Sequence, residues 1–198
     1  MTPVIGLCGR SGAGKGYVSS VFAGLGFDVI DTDAVYRTTV VKKGSPCLSE
    51  LCREFGDEIL DTDGCLDRRA LSKIVFSDKS KLSRLNGITH GYIRAETEKL
   101  ILKSRENCSR GVVVDAPVLF ESGFDSLCDL LICVTCGDFL SLERICERDS
   151  VSPDAAKARL ASQLCENELR RRCHYEIIND GRDVVSQVQS IVASAIKE

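Results

Sequence analysis

Residues Gly9 to Lys15 read GRSGAGK, and this stretch decides the fold because its G-x-x-x-x-G-K spacing is that of a phosphate-binding loop. The apolar run Pro3–Cys8 before it is typical of a buried strand, and apolar residues recur at helical spacing between Val18 and Leu25. Glycines let successive amides turn inward, the helix N-terminus adds positive potential, and Lys15 reaches the outer phosphates. The alternative is a glycine-rich turn without a ligand, but both flanks favour phosphate binding.

Strand and helix alternate after this loop. Phe27–Asp31 is predicted as a strand, and Thr32 is placed to cap a helix from Asp33 to about Val41. Such alternation predicts parallel strands joined by right-handed helical crossovers. Further strands are predicted at Gly111–Asp115, Leu127–Val134 and Tyr175–Ile178.

The middle of the chain is predicted to be helical. Ser45-Pro46 is an N-cap followed by a proline at the first helical position, and Asp67 caps a further helix. Leu82–Arg105 reads as one long helix, and no strand is predicted from Ser45 to about Asn107. We therefore expect a helical lobe inserted into the sheet domain. After it, a helix starting at Ser152-Pro153 is predicted to run into the charged stretch Glu166–His174.

Composition excludes several classes of protein. The 198 residues favour one domain, and 26 Lys and Arg against 29 Asp and Glu give a formal charge of −3. This charge argues against a nucleic-acid partner or a membrane surface, and neither a transmembrane helix nor a signal peptide is expected. The eleven cysteines predict reduced thiols and a cytoplasmic location. The C-x-x-C spacing of Cys133 and Cys136 has no second pair, which argues against zinc.

Two carboxylates follow predicted strands. Asp33 follows the second strand and would accept a proton from an attacking hydroxyl, although Asp31 or Asp33 could equally serve as a helix cap. Asp115 ends the run Val112–Val114, in the form of a strand-end carboxylate aimed at Mg²⁺, directly or through water; the alternative is a turn residue. Gly16 stands after Lys15, where a Ser or Thr hydroxyl should bind Mg²⁺, and Ser19 is expected to face elsewhere.

Arginines are concentrated in the last third of the chain. Arg144 and Arg148 lie one helical turn apart, Arg159 is on the following helix, and Arg170–Arg172 precede His174. Phosphoryl transfer spreads negative charge over the equatorial oxygens, so arginines on a mobile cover suit that reaction. A charge run is more often a solvated helix face, and both interpretations stay open.

Several short motifs occur in a fixed order along the chain. They are the phosphate loop, Val29-Ile-Asp-Thr-Asp33, Gly44-Ser-Pro46, Asp63-Gly-Cys-Leu-Asp67-Arg-Arg69, Thr89-His90-Gly-Tyr-Ile-Arg94, Asp115-Ala-Pro-Val-Leu-Phe-Glu121, Arg144 with Arg148-Asp149, Gln163, and Ile177-Ile-Asn-Asp-Gly181. With these motifs the chain resembles the dephospho-coenzyme A kinase family from about Ile5 to Gly181. The phosphate loop is generic, whereas the Asp-Thr-Asp and Asp-Ala-Pro-Val-Leu-Phe-Glu segments are much more specific.

The resemblance implies an α/β fold. The implied architecture is a P-loop kinase, with three α/β/α layers around a parallel five-stranded sheet. It forms a single domain of residues 1–198. The core is expected at about 1–42 and 110–198, the helical acceptor-binding lobe at about 43–109, and the lid at about 150–174. The implied activity uses ATP and Mg²⁺ to phosphorylate the ribose 3′-hydroxyl of dephospho-coenzyme A, a small-molecule substrate, in the last step of coenzyme A synthesis.

The resemblance also implies site residues. Asp33 would be the base, and Lys15 and Arg148 would stabilise the transferring group. ATP would be held by Gly9, Arg10, Ser11, Gly12, Ala13, Gly14, Lys15, Gly16, Tyr17, Arg144 and Arg148. The acceptor would lie against Asp33, His90, Arg94, Pro117, Leu119 and Glu121, although a lone histidine such as His90 is more often structural.

The chain departs from the family at Gly16, at Gly91 where proline is usual, at Cys173-His174, and at Leu169-Arg170 in the lid. Two alternatives therefore stay open. One is another nucleoside or nucleotide kinase of the same architecture. The other is a nucleotide-binding relative with weak or lost turnover, because Gly16 offers no hydroxyl to Mg²⁺. The oligomeric state is left open.

Overall fold

The computed structural model describes residues 2–195 of the chain. Within this range the strands are β1 (Val4–Gly9), β2 (Asp28–Asp31), β3 (Val112–Asp115), β4 (Leu130–Thr135) and β5 (Tyr175–Ile178). The α-helices are α1 (Lys15–Gly24), α2 (Thr32–Val35), α3 (Pro46–Phe55), α4 (Arg68–Phe76), α5 (Lys79–Glu106), α6 (Asp138–Asp149), α7 (Pro153–Ala161), α8 (Glu166–Arg172) and α9 (Val184–Ala195). A π-helical turn covers Tyr36–Val40, and 3-10 turns cover Asp57–Ile59 and Phe124–Leu127.

The strands form one sheet in the order β2-β3-β1-β4-β5. β1 pairs in parallel with β3 and β4, and β4 pairs in parallel with β5. The chain therefore leaves β1 towards one side of the sheet and returns later on the other side. The carboxyl end of β1 is thus a topological switch point, where ligands bind in open α/β sheets. The predicted α/β fold with a five-stranded parallel sheet is confirmed.

Apolar packing fixes α1 against the sheet. Val18 and Phe22 of α1 are fully buried and share a core with sheet residues such as Ile5 and Ile132 and with Val188 of α9. Because this face of α1 is buried, the N-terminus of the helix stays at the end of β1, beside the phosphate loop.

The chain divides into two compact units, which we describe separately. The first comprises the chain up to Ile30 and from Ile101 onward, and the second is Asp31–Leu100. The phosphate loop and the sheet, except for Asp31 at the end of β2, belong to the first unit. The assignment of the core, lobe and lid to particular functions stays a prediction.

The second unit is largely helical, as expected from the sequence. Ser45 caps α3 by accepting a hydrogen bond from the Leu48 amide at 3.1 Å, and Asp67 caps α4 in the same manner. The apolar face of α3 is buried. Among the described residues of this unit, strand-like pairing is limited to one isolated bridge, between Leu60 and Leu66, besides Asp31 at the end of β2.

Two helices differ from their predictions. The cap of α2 is Asp31 and not Thr32: its Oδ1 accepts from the amides of Asp33 at 2.9 Å and Ala34 at 3.1 Å, so the helix begins one residue early. It then widens into a π-turn at Tyr36 instead of running to Val41 as an α-helix. The predicted helix from Ser152 into the charged stretch is two helices, because α7 ends at Ala161 and α8 begins at Glu166. No helix in residues 2–195 has the length and apolar content needed to cross a membrane.

Candidate active site

The phosphate loop joins β1 to α1. Gly12 and Gly14 have φ angles of 80° and 85°, in the left-handed region that favours glycine. A Cβ at Gly12 would also lie 2.4 Å from the Ser141 carbonyl oxygen, and one at Gly14 would lie 2.1 Å from Nδ2 of Asn179. In the described chain, no side chain caps the N-terminus of α1. Its first amides and its dipole therefore face the space that a phosphate would occupy.

Amide side chains from distant segments hold the loop. Gln163, in the break between α7 and α8, accepts a hydrogen bond from the Ser11 amide at 3.0 Å and donates to Ser11 Oγ at 3.2 Å. Asn179, directly after β5, donates to the Ala13 carbonyl at 2.9 Å. Because these bonds tie the loop to α7–α8 and to β5, its amides are held in the orientation that an anion requires.

Two arginines predicted to bind ATP also anchor the loop. Arg144 donates to the Gly12 carbonyl at 3.2 Å and to the Asn179 carbonyl at 3.0 Å. Arg10 donates to the Leu160 carbonyl at 2.8 Å. This anchoring was not predicted. Binding of ATP by Arg144 stays a prediction, since a guanidinium carries five N–H donors.

Lys15 and Asp115 come together beneath the loop. The Lys15 Nζ lies 3.7 Å from Asp115 Oδ1, and their side chains are 15% and 14% exposed. Ser19 is one helical turn after Lys15 on α1, and its buried hydroxyl donates to Asp115 Oδ2 at 2.8 Å. The expectation that Ser19 faces elsewhere was therefore wrong. Residues four apart share a helix face, so Lys15 and Ser19 both reach the same carboxylate.

The donor set beneath the loop fits a magnesium ion that keeps most of its ligands from water and phosphate. Asp115 offers carboxylate oxygen, the ligand type that Mg²⁺ prefers. Within residues 2–195 no cluster of three or more His, Cys, Asp or Glu side chains could hold a metal by itself. Gly16 adds no side-chain oxygen, and a Cβ at this position would meet open space beyond its own helix.

Arg148 lies near the end of α6, directly before the predicted lid. Its Nε and Nη2 bond both oxygens of Asp149 at 2.8 and 2.9 Å, and Arg159 of α7 also pairs with this carboxylate. The two arginines lower the pKa of Asp149, so it is ionised at neutral pH. The Arg148 side chain is 61% exposed. Its role towards phosphate stays a prediction.

The segment after β3 was predicted to face the acceptor. Pro117 and Glu121 are exposed, which fits that expectation. Leu119 is 1% exposed, and its Cδ2 would lie 3.1 Å from a Cβ at Gly6 of β1. Leu119 therefore packs into the core, and acceptor binding by its side chain does not fit this burial.

Asp33 belongs to the second unit, on the first turn of α2. Because Asp31 provides the cap, the carboxylate of Asp33 is not needed for that purpose. Asp33 is exposed, and among the described residues of its own unit its carboxylate makes no hydrogen bond or ion pair. Of the two interpretations left open by the sequence, the structure removes the capping role. The role as base stays a prediction.

His90 and Arg94 lie one turn apart on α5, also in the second unit. His90 is partly buried, and burial lowers its pKa, which favours the neutral imidazole at pH 7. Arg94 pairs with Glu98 at 3.0 Å. The i, i+4 spacing places both side chains on one face of the helix. Their contact with the acceptor stays a prediction.

The cysteines are free thiols. Cys133 is fully buried within β4, and Cys136 lies close to the Gly12 carbonyl, with Sγ and oxygen 3.6 Å apart. Burial raises the pKa of Cys128 to about 12, so this thiol is protonated at neutral pH. These contacts support the interpretation of the C-x-x-C spacing as structural.

The site contains three residues whose roles the local sequence does not predict: Ser19, Gln163 and Asn179. Ser19 lies about one turn beyond the position of the expected hydroxyl, and its i, i+4 relation to Lys15 is the sequence signal that places it on the same helix face. Gln163 and Asn179 stand out in the sequence only as members of the family motifs. Their function depends on contacts over 152 and 166 residues of sequence, which no local pattern shows.

A parallel sheet that carries this loop at its switch point defines the chain as an α/β protein of the P-loop kinase class. The family model described as Dephospho-CoA kinase matches residues 3–184. The chain therefore belongs to the dephospho-CoA kinase family.

Relatives and solved structures agree with this assignment. The chain is 37% identical over 189 residues to the dephospho-CoA kinase of Bacillus thuringiensis subsp. konkukian, covering 96% of this chain and 94% of the relative. The dephospho-CoA kinase structure from Campylobacter jejuni matches with a TM-score of 0.70 at 27% identity and covers 100% of both chains. The Thermus thermophilus protein TT1252 matches with a TM-score of 0.83 at 26% identity, covering 100% of this chain and 99% of that one.

Proposed function

We propose that this kinase transfers the γ-phosphoryl group of ATP to the ribose 3′-hydroxyl of dephospho-coenzyme A, the last step of coenzyme A synthesis. The observation that carries the proposal is the braced phosphate loop with Lys15 and Asp115 beneath it, in a chain whose family membership extends over nearly its whole length. Free thiols throughout the chain fit a cytoplasmic location.

In the proposed reaction, the amides of Gly12 to Gly16 bind the phosphates of ATP, and the Lys15 ammonium neutralises charge on the transferring group. The 3′-oxygen of the ribose attacks the γ-phosphorus while Asp33 accepts the proton of that hydroxyl. The bond from the γ-phosphorus to the bridging oxygen breaks, and ADP leaves. Mg²⁺, when bound, would supply positive charge that offsets the negative charge of the phosphates. Asp115 would hold it, directly or through water, while Ser19 fixes the orientation of that carboxylate. Arg148 would approach the transferring group from the side of the lid.

A coupled ATPase assay tests the function. We expect ATP consumption that depends on dephospho-coenzyme A at saturating Mg²⁺, with phosphate appearing at the 3′ position of the product. Adenosine, AMP and shikimate serve as competing acceptors in the same assay. A higher kcat/KM for one of them would favour another kinase of the same architecture, and no acceptor-dependent turnover would reject the proposal.

A relative with weak turnover is the second candidate, because Gly16 stands where a Ser or Thr hydroxyl directly after Lys15 would bind Mg²⁺. A serine fits at this position, since its Cβ would meet open space. We expect Gly16→Ser to tighten the apparent binding of Mg²⁺ by about tenfold to a hundredfold, because one hydrogen bond to a charged group contributes about 1.5–3 kcal/mol.

The measurement is ATP binding titrated with Mg²⁺, followed by kcat at saturating Mg²⁺. Gly16→Ala is the matched control, because it adds the Cβ without the oxygen. Equal Mg²⁺ dependence in all three proteins would contradict the expectation. A much higher kcat for Gly16→Ser than for the natural chain would favour the candidate with weak turnover.

A further inference from the structure

The second unit contains a strongly basic cavity of about 420 Å³. Four cationic side chains line it, Arg37, Lys42, Lys43 and Arg68, and no carboxylate is among the described lining residues. Leu66 and Val41 provide an apolar wall beside the cations. Such a combination suits an anion attached to an apolar group.

The protein itself neutralises little of this charge. Arg37 approaches one carboxylate, Asp31, only to 3.9 Å, and Lys43 donates to the backbone carbonyl of Asp63, not to its carboxylate. In the described chain, Lys42 and Arg68 take part in no ion pair. Since clustered cations repel one another, the arrangement costs free energy that a bound anion would recover.

The cavity adjoins the segment of the proposed base. Arg37 follows Asp33 by four residues, in the continuous helical stretch made by α2 and the π-turn Tyr36–Val40. The Val41 amide closes the π-turn on the Tyr36 carbonyl at 3.0 Å. One helical turn advances about 5–6 Å along the axis, and π-turns frequently occur at functional sites.

We propose that this cavity binds the diphosphate of dephospho-coenzyme A, which makes it the specificity site for the acceptor. The proposal rests on the proposed function. The reacting 3′-hydroxyl and the diphosphate-bearing 5′-carbon belong to one ribose, so a protein that places the hydroxyl at Asp33 must meet the diphosphate nearby. The apolar gem-dimethyl group next to this diphosphate would pack on Leu66 and Val41.

The diphosphate is not consumed in the reaction. Its binding free energy is therefore available to position the acceptor and to reject nucleosides that lack it. Arg37 and Arg68 would make the stronger contacts, because a guanidinium binds phosphate oxygens in a bidentate manner.

The test compares two acceptors, dephospho-coenzyme A and adenosine, which shares the 3′-hydroxyl but has no diphosphate. We expect Arg37→Gln and Arg68→Gln each to raise KM and Kd for dephospho-coenzyme A by about tenfold or more. The kcat/KM for adenosine and the KM for ATP should stay within about twofold. Arg69→Gln is the matched control, since this neighbouring exposed arginine of α4 does not line the cavity.

Binding of dephospho-coenzyme A is measured by calorimetry as well as by kinetics, and thermal unfolding checks that each variant is folded. Equal KM and Kd in the natural chain and both variants would overturn the assignment of the cavity. So would a parallel loss of kcat/KM for both acceptors. Either outcome would leave the proposed function standing. If the natural chain does not phosphorylate dephospho-coenzyme A, both the proposed function and the assignment of the cavity are contradicted.

Discussion

Asp33→Asn is expected to lower kcat for dephospho-coenzyme A by about 10²–10⁴, the range that general bases contribute. Asparagine keeps the size and the polarity of the side chain but cannot accept the proton of the 3′-hydroxyl. This substitution should not disturb the fold, because Asp31 caps α2 and the Asp33 carboxylate has no structural partner among the described residues of its unit. Stability and the Kd for ATP should therefore stay unchanged, as measured by thermal unfolding and calorimetry.

Asp31→Asn is the matched control for this prediction. It removes one negative charge two residues away, and asparagine is as good a helix cap as aspartate. A general effect of charge would appear in both variants, whereas loss of the base appears in Asp33→Asn alone. Similar kcat values for the natural chain and Asp33→Asn, or equal losses in both variants, would contradict the assignment of Asp33 as the base.

The fold was predictable because its determinants are local. The run Pro3–Cys8, the glycine loop and the apolar spacing after it specify strand, turn and helix without reference to distant residues. Strands buried on both faces show as continuous apolar runs, such as Val112–Val114. Ser45 and Asp67 were predicted as caps and are caps, because a capping side chain bonds to amides two or three residues away.

Errors in the helices arose where two local signals compete. Asp31 and Thr32 are both good caps, and the aspartate is used, which moves the helix start by one residue. The break between α7 and α8 depends on a distant contact, since Gln163 in the break bonds to Ser11 of the phosphate loop. Helical propensity alone predicts one helix that continues through Gln163.

The site was predictable only in part, for the same reason. The loop and Lys15 follow from spacing, but the roles of Arg144 and Ser19 depend on neighbours that the fold brings together. Arg144 was expected at phosphate and also holds a loop carbonyl. Leu119 was carried over from the family motif as an acceptor contact, yet burial places its side chain in the core. A motif shows which residues occur together and not which way each side chain points.

Lys15→Met is expected to lower kcat by about 10²–10³, the loss typical of removing one preorganised group that stabilises charge in the transition state. Methionine keeps the length of the side chain and its packing while it removes the ammonium. Lys15 is 15% exposed and lies 3.7 Å from Asp115, so the ammonium is held in a partly buried setting where its charge counts for more than in water. The measurement is kcat at saturating ATP and Mg²⁺, with calorimetry of ATP binding.

Two further variants test whether Lys15 acts on the transferring phosphate or only neutralises the charge of Asp115. Lys103→Met removes an exposed lysine at the end of α5 and should leave kcat unchanged. Asp115→Asn tests whether Lys15 acts only by neutralising that carboxylate: the double variant with Lys15→Met would then recover most of the activity. We expect no such recovery, because Lys15 acts on the phosphate and Asp115 on the metal, so their losses should combine. Recovery in the double variant, or an unchanged kcat in Lys15→Met, would contradict the catalytic role of Lys15.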